Sequence, residues 1–255
     1  MNFGRMRITR HVFLVAYSFL PAFLILTGCG PSILRPERPE GKIVVVYQPS
    51  HQTDTGRDFS EAAVCNAIAD AAIAASNGSV VTHKVWSHDV PGLRHARRGS
   101  NTVIDHTSAV VGDSLTGYAW ELRRSKELAP FVFISIHNNG GTNRHAIWGY
   151  IHEADRFEAA NRELVAELIA AIADVTGLEN RGVWLDSSTG RNNYRCATTG
   201  KLAFYSLDEN VNTAPYRVLL EIGDNRVSRE LLQDPARQQA MGAAIQKVVE
   251  AWWGD

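Results

Sequence analysis

An α/β fold is predicted: a single domain with a mostly parallel, twisted sheet and helices on both faces. Three observations predict it. Residues 43–47, 131–136 and 217–222 are short, nearly unbroken apolar runs rich in β-branched side chains, as expected of strands buried on both faces. Residues 59–75, 118–128, 155–176 and 235–253 have the length and apolar spacing of helices. Strands and helices alternate along the chain, which is the signature of a sheet covered by its own crossovers. At 255 residues the chain can bury one substantial core.

Each element follows from its own residues. The run IVVVY at 43–47 has no polar interruption and reads as a first, central strand. The alanine-rich stretch 59–75 reads as a helix, with Ser60 near its start. Residues 79–86 read as a second strand. The stretch 87–115 is polar, carries Pro91, several glycines and several arginines, and is expected to be a loop. A loop of that length in a compact domain is more often functional than idle. Helix 118–128 leads into strand 131–136, and strand 146–152 into the amphipathic helix 155–176, which Gly177 ends. Residues 179–201 are expected to be loop. Strand 217–222 and helix 235–253 close the chain.

The beginning of the chain is of another kind. Arg5, Arg7 and Arg10 give a basic start, and residues 12–27 are apolar but contain Pro21. This is the pattern of a secretory signal, too short and interrupted for a spanning helix. It ends Leu26-Thr27-Gly28-Cys29, which resembles a bacterial lipobox. The resemblance implies cleavage after a signal peptide at 1–28 and lipidation of Cys29; an ordinary signal peptide with an incidental cysteine is the alternative. Residues 30–41, GPSILRPERPEG, read as a tether, so the expected order is signal peptide (1–28), lipidated cysteine and tether (29–41) and catalytic domain (42–255). The chain is thus expected to be exported and membrane-anchored through its N-terminal lipid, facing periplasm or cell wall. Gly30, rather than an aspartate, favours the outer membrane where there are two. Of the three cysteines, Cys65 and Cys196 remain, as a disulfide or as two separate thiols. A formal net charge of -1 gives no reason to expect nucleic acid as a partner.

Four residues carry the chemistry. His51, His137 and Glu221 stand at or just past the carboxyl ends of strands, where ligands of open α/β sheets collect, and Glu61 opens the first helix. Two imidazoles and one carboxylate suit a zinc ion with one tetrahedral position left for water, the mark of a catalytic site. His51, Glu61 and His137 are therefore the expected ligands and Glu221 the general base. Each has a plainer reading: a loop histidine at 51, a helix-dipole partner at 61, a satisfied core histidine at 137, and at 221 a salt bridge to Arg217 or Arg226. Residue chemistry by itself supports metal-assisted amide hydrolysis. His83, His88, His95, His106, His145 and His152 carry no signal that selects them, and Arg94, Arg97 and Arg98 could hold peptide carboxylates or form a solvated basic face.

Three segments resemble the zinc-dependent N-acetylmuramoyl-L-alanine amidases that cut peptidoglycan. Pro49 and His51 match a turn that in the family reads aspartate-proline-glycine-histidine-glycine-glycine, with Gln48, Ser50, Gln52 and Thr53 departing from it. Glu61 matches the helix-opening glutamate. Ser135-Ile136-His137 and Asn139 match a second motif, with Asn138 where alanine stands, and Glu221-Ile222-Gly223 matches the last. The resemblance spans about residues 42 to 253 and implies Zn2+ as cofactor. It also implies peptidoglycan as substrate, and as reaction the hydrolysis of the amide joining N-acetylmuramic acid to L-alanine. The same metal chemistry would serve a zinc peptidase or deacylase acting on stem peptides or small amides. An inactive, lipid-anchored peptidoglycan-binding protein is the reading from another class. A regulatory protein partner is neither indicated nor excluded.

Overall fold

The computed structural model describes residues 33–53, 55–93, 117–189 and 194–254. The expected signal segment, Cys29, Arg94, His95, Arg97, Arg98 and His106 lie outside them. The strands are β1 (Val44–Pro49), β2 (Val81–Lys84), β3 (Val132–Asn139), β4 (Ala146–Ile151), β5 (Glu179–Leu185) and β6 (Tyr216–Asp224). They form one six-stranded sheet in the order β2-β1-β3-β6-β4-β5. β1 runs parallel to β2 and β3, β3 to β6, and β4 to β5, while β4 runs antiparallel to β6.

Alternation along the central strands sorts the core into two layers. Val45 and Tyr47 of β1, Ile134 and Ile136 of β3, and Val218, Leu220 and Ile222 of β6 face one way. They pack against α1 (Glu61–Ala74), α3 (Glu158–Thr176) and α5 (Pro235–Trp253). Val46 and Phe133 face the other way, against Tyr118 and Leu122 of α2 (Gly117–Leu128). On that side the segment between β5 and β6 adds Phe204 and Leu207, which meet Leu219. A short α4 (Arg229–Gln233) precedes α5. Among the described residues no helix is long and apolar enough to cross a membrane.

α1 begins where Ser60, in extended conformation, accepts a hydrogen bond from the amide of Ala63. Such a cap contributes about 1 kcal/mol and fixes where the first turn, and so Glu61, sits. α1 and α5 lie close because position 242 is glycine. A Cβ there would stand 2.5 Å from the Ala72 nitrogen and 2.6 Å from the Ile68 carbonyl oxygen, both backbone atoms of α1. Gly242→Ala is expected to force the helices apart and to cost about 1–3 kcal/mol, read as a lowered denaturation midpoint.

Two expectations are corrected. The stretch 179–201 is not all loop: residues 179–185 form β5 at the sheet edge. Its sequence ENRGVWL lacks an apolar run because it is largely uncovered, as edge strands are. The strand expected at 131–136 continues to Asn139, so His137 lies inside β3 rather than just past it. Residues 33–41 contain no helix or strand, yet they touch the body. Arg35 pairs with Glu163 of α3 and lies 5.2 Å over the Trp252 ring, and Arg38 donates to the Trp253 carbonyl at 3.0 Å.

Candidate active site

The carboxyl ends of β1, β3 and β6 lie side by side, and the four chosen residues are grouped there. His137 and Glu221 are register partners on adjacent parallel strands, so their side chains project from the same face. The Ser50 amide donates to the Ile136 carbonyl at 2.8 Å, which holds the residue before His51 beside the residue before His137. The Ala62 amide donates to the Gln52 carbonyl at 2.9 Å and ties the same loop to the first turn of α1. Glu61 thereby reaches His137, its Oε1 lying 3.0 Å from Nδ1. All four residues are buried, from 3% exposed at His51 to 8% at His137.

A fifth group, Glu121 of α2, was not anticipated. It is fully buried, and its Oε2 stands 3.4 Å from His51 Nδ1. Gln48 Nε2 donates to the same oxygen at 2.8 Å, and Ser135 Oγ donates in turn to Gln48 Oε1 at 2.7 Å. The amide and hydroxyl of Ser87 both donate to Glu121 Oε1, at 2.9 and 2.6 Å. Burial alone would raise the Glu121 pKa; the contacts with His51 and Ser87 outweigh it and hold the carboxyl below its ordinary value. Gln48 stands where the resembled motif has an aspartate, and the anionic group beside His51 is Glu121 of helix α2. The signal was present in helical spacing: Tyr118, Glu121, Leu122 and Ser125 share one buried face of α2, with a carboxylate in its middle.

Neighbouring side chains fix the frame. The Tyr118 ring lies 5.0 Å from the His51 ring, and the His88 ring nitrogen Nε2 is 2.9 Å from the His51 carbonyl oxygen. Asn138 donates to the Ile222 carbonyl at 2.8 Å, bracing β3 against β6. Asp224 accepts from the Thr142 amide and hydroxyl, both at 2.7 Å, and from the Asn143 amide at 3.0 Å, which shapes the turn after β3. Its burial would raise its pKa, but these donors and the amides of Arg226 and Val227 lower it. Cys65 and Cys196 are both free and buried; Cys65 Sγ lies 3.5 Å from Asn138 Oδ1.

The salt bridge considered between Glu221 and Arg217 does not form. Arg217 is buried at the other end of β6, where it pairs with Asp155 and donates to the Leu207 carbonyl at 2.9 Å. As for zinc, the donor types suit it, two imidazoles and a carboxylate: Glu61 Oε1 and His137 Nδ1 are 3.0 Å apart, while the three together do not form a set of ligand atoms all within 4.8 Å, so His51 would have to turn toward that pair. His51 Nδ1 faces Glu121 Oε2 at 3.4 Å, which leaves Nε2 as the atom it would offer to an ion.

No protein-family model and no curated protein sequence matches the chain. Its fold matches solved structures of N-acetylmuramoyl-L-alanine amidases. The catalytic domain of CwlV from Bacillus (Paenibacillus) polymyxa var. colistinus superposes with a TM-score of 0.54 at 18% identity, covering 82% of this chain and 97% of that one. AmiC2 of Nostoc punctiforme gives 0.54 at 18% identity, over 84% and 98% of the two chains. The CwlD amidase of Clostridioides difficile, solved in complex with the GerS lipoprotein, gives 0.54 at 17% identity over 83% and 98%. The chain therefore has the α/β fold of these amidases.

Proposed function

We propose that the protein is a zinc-dependent N-acetylmuramoyl-L-alanine amidase acting on peptidoglycan. The observation that carries this reading is the grouping of His51, Glu61, His137 and Glu221 at one end of a sheet whose fold these amidases share. His51, Glu61 and His137 would hold the ion. Zinc bound there supplies Lewis-acid polarisation of the scissile carbonyl and lowers the pKa of water to about 7. Glu221, fixed beside His137 by strand register, takes a proton from the attacking water and returns it to the departing L-alanine nitrogen. Glu121 holds His51 in orientation. The low exposure of the group keeps competing solvent away from these polar atoms.

The decisive experiment treats purified peptidoglycan with the zinc-loaded protein and identifies the products by mass spectrometry. Free L-alanine amino ends beside intact sugar strands are expected. Cuts within the stem peptide would make the protein a peptidase, and binding to sacculi without release would make it a binding protein; either result rejects the amidase. Glu121→Gln is expected to weaken zinc binding about 10–100-fold, as loss of a carboxylate behind a ligating histidine does, measured by competition with a chelator. We further propose that Cys29 is lipidated and that the chain is exported and held at a membrane facing the wall. Labelling with a fatty-acid analogue should then disappear in Cys29→Ala.

A further inference from the structure

A second group of metal-ligating side chains lies away from the crevice. His152 follows β4, Asp186 follows β5, and Cys196 and Asp208 belong to the segment joining β5 to β6. Because β4 opposes β6, with Trp148 across from Glu221, His152 lies four residues along the strand from the Glu221 row, roughly 13 Å. Ligand atoms of His152, Cys196 and Asp208 all fall within 4.8 Å of one another, and all three residues are buried. His152 Nδ1 is 2.6 Å from Asp186 Oδ2, which leaves Nε2 directed at Cys196 Sγ, 3.5 Å away. Asp186 is itself fixed, accepting the Glu153 and Phe204 amides, both at 3.1 Å. Asp208 accepts the Asn210 amide at 2.8 Å and the Tyr194 hydroxyl.

We propose that His152, Cys196 and Asp208 form a second divalent-cation site, suited to zinc, that staples the β5–β6 segment to the end of the sheet. Nitrogen, thiolate and carboxylate are the donors zinc takes, and a carboxylate behind the imidazole is the usual companion of a ligating histidine. In a tetrahedral site with bonds of about 2.3 Å to sulfur and about 2.05 Å to nitrogen, those two atoms stand about 3.6 Å apart. The observed 3.5 Å needs little adjustment. One thiolate and one carboxylate balance a dipositive ion, and the remaining charge, on Asp186, is met by the His152 ring and the amides of Glu153 and Phe204. The ion's entry displaces the proton of the Cys196 thiol, and any proton on His152 Nε2, to solvent. A fourth ligand, water or the Tyr194 oxygen, completes the set.

The row Asp186–His152–Cys196 also has the order of an orienting acid, a base and a nucleophile. Catalysis by the thiol would require substrate to reach the sulfur, and Cys196 is 1% exposed. A staple, in contrast, has a task. Among the described residues between Asp186 and β6 the helical turns are the short 3-10 turns Asp186–Thr189 and Tyr205–Leu207, and a connection of this length gains from fastening. The fastening also supports the crevice. Tyr194 packs on Tyr205 at 4.9 Å, Tyr205 on Tyr118 at 6.2 Å, and Tyr118 on His51 at 5.0 Å.

The test is metal analysis of the zinc-loaded full chain after unbound ion is removed, repeated with cobalt(II). Two ions per chain are expected, with one remaining in Cys196→Ser and one in His137→Ala. Cobalt(II) should show a sulfur-to-metal charge-transfer band that vanishes in Cys196→Ser and persists in His137→Ala and in Cys65→Ser, the free thiol beside the crevice. Wild-type stoichiometry unchanged by Cys196→Ser, or cobalt loading without the band, overturns the proposal. A single ion lost in Cys196→Ser but retained in His137→Ala upholds this site and rejects the crevice ligands instead. Should Cys196→Ser fail to fold, His152→Gln and thiol titration decide: Cys196 must be shielded from a thiol reagent until a chelator is added, and equal reactivity before and after chelation overturns the staple.

Discussion

Glu221→Gln is expected to lower amide hydrolysis about 10²–10⁴-fold while zinc content stays at the wild-type level. The amide keeps the shape of the carboxylate but cannot accept the proton of an attacking water. Because Glu221 lies within the C-terminal half of β6, paired with His137 on one side and Trp148 on the other, the isosteric change should leave the sheet intact. His137→Ala should instead lose zinc and activity together. Metal content measured beside turnover separates the two roles, and normal turnover by the Glu221→Gln enzyme would remove the base assignment.

The largest effect on stability is expected from Asp155→Ala. Arg217 is 3% exposed, and its guanidinium is satisfied by Asp155 and by the carbonyls of Leu207 and Ala214. Burial pushes the Arg217 pKa down, and Asp155 is the strongest influence opposing that shift. Removing the carboxylate strands a buried cation, which costs about 3–5 kcal/mol. For a domain of this size that lowers the midpoint of thermal unfolding by roughly 6–20 °C. Arg217→Met in the Asp155→Leu background should recover much of the loss, because an apolar pair of similar volume avoids the desolvation cost. A double variant no more stable than Asp155→Ala would show that the carbonyl contacts, rather than the ion pair, hold this end of β6.

The central sheet was legible because its strands are buried on both faces, so IVVVY, FVFISI and RVLLEI leave no other reading. β5 was not, since an edge strand half open to water needs no apolar run, and Asn180, Arg181 and Gly182 look like loop. His51, Glu61, His137 and Glu221 were chosen from their places near strand and helix ends; the structure sets Glu61 against His137 and His137 in register with Glu221, and their roles rest on the proposal. Glu121 was missed because Glu-Leu-Arg-Arg in a helix resembles a solvated face, which masked the helical spacing that sets Glu121 inward with Tyr118, Leu122 and Ser125 while Arg124 pairs outward with Glu127. His152 and Cys196 were passed over for a similar reason. They are 44 residues apart, and nothing local announces that they meet.

Arg38 meets the last turn of α5 at Trp253, whose ring lies edge-on to Phe131 just before β3, while His137 lies near that strand's far end. The leading segment thus joins the body at the pole remote from the crevice, about 20 Å away along a strand.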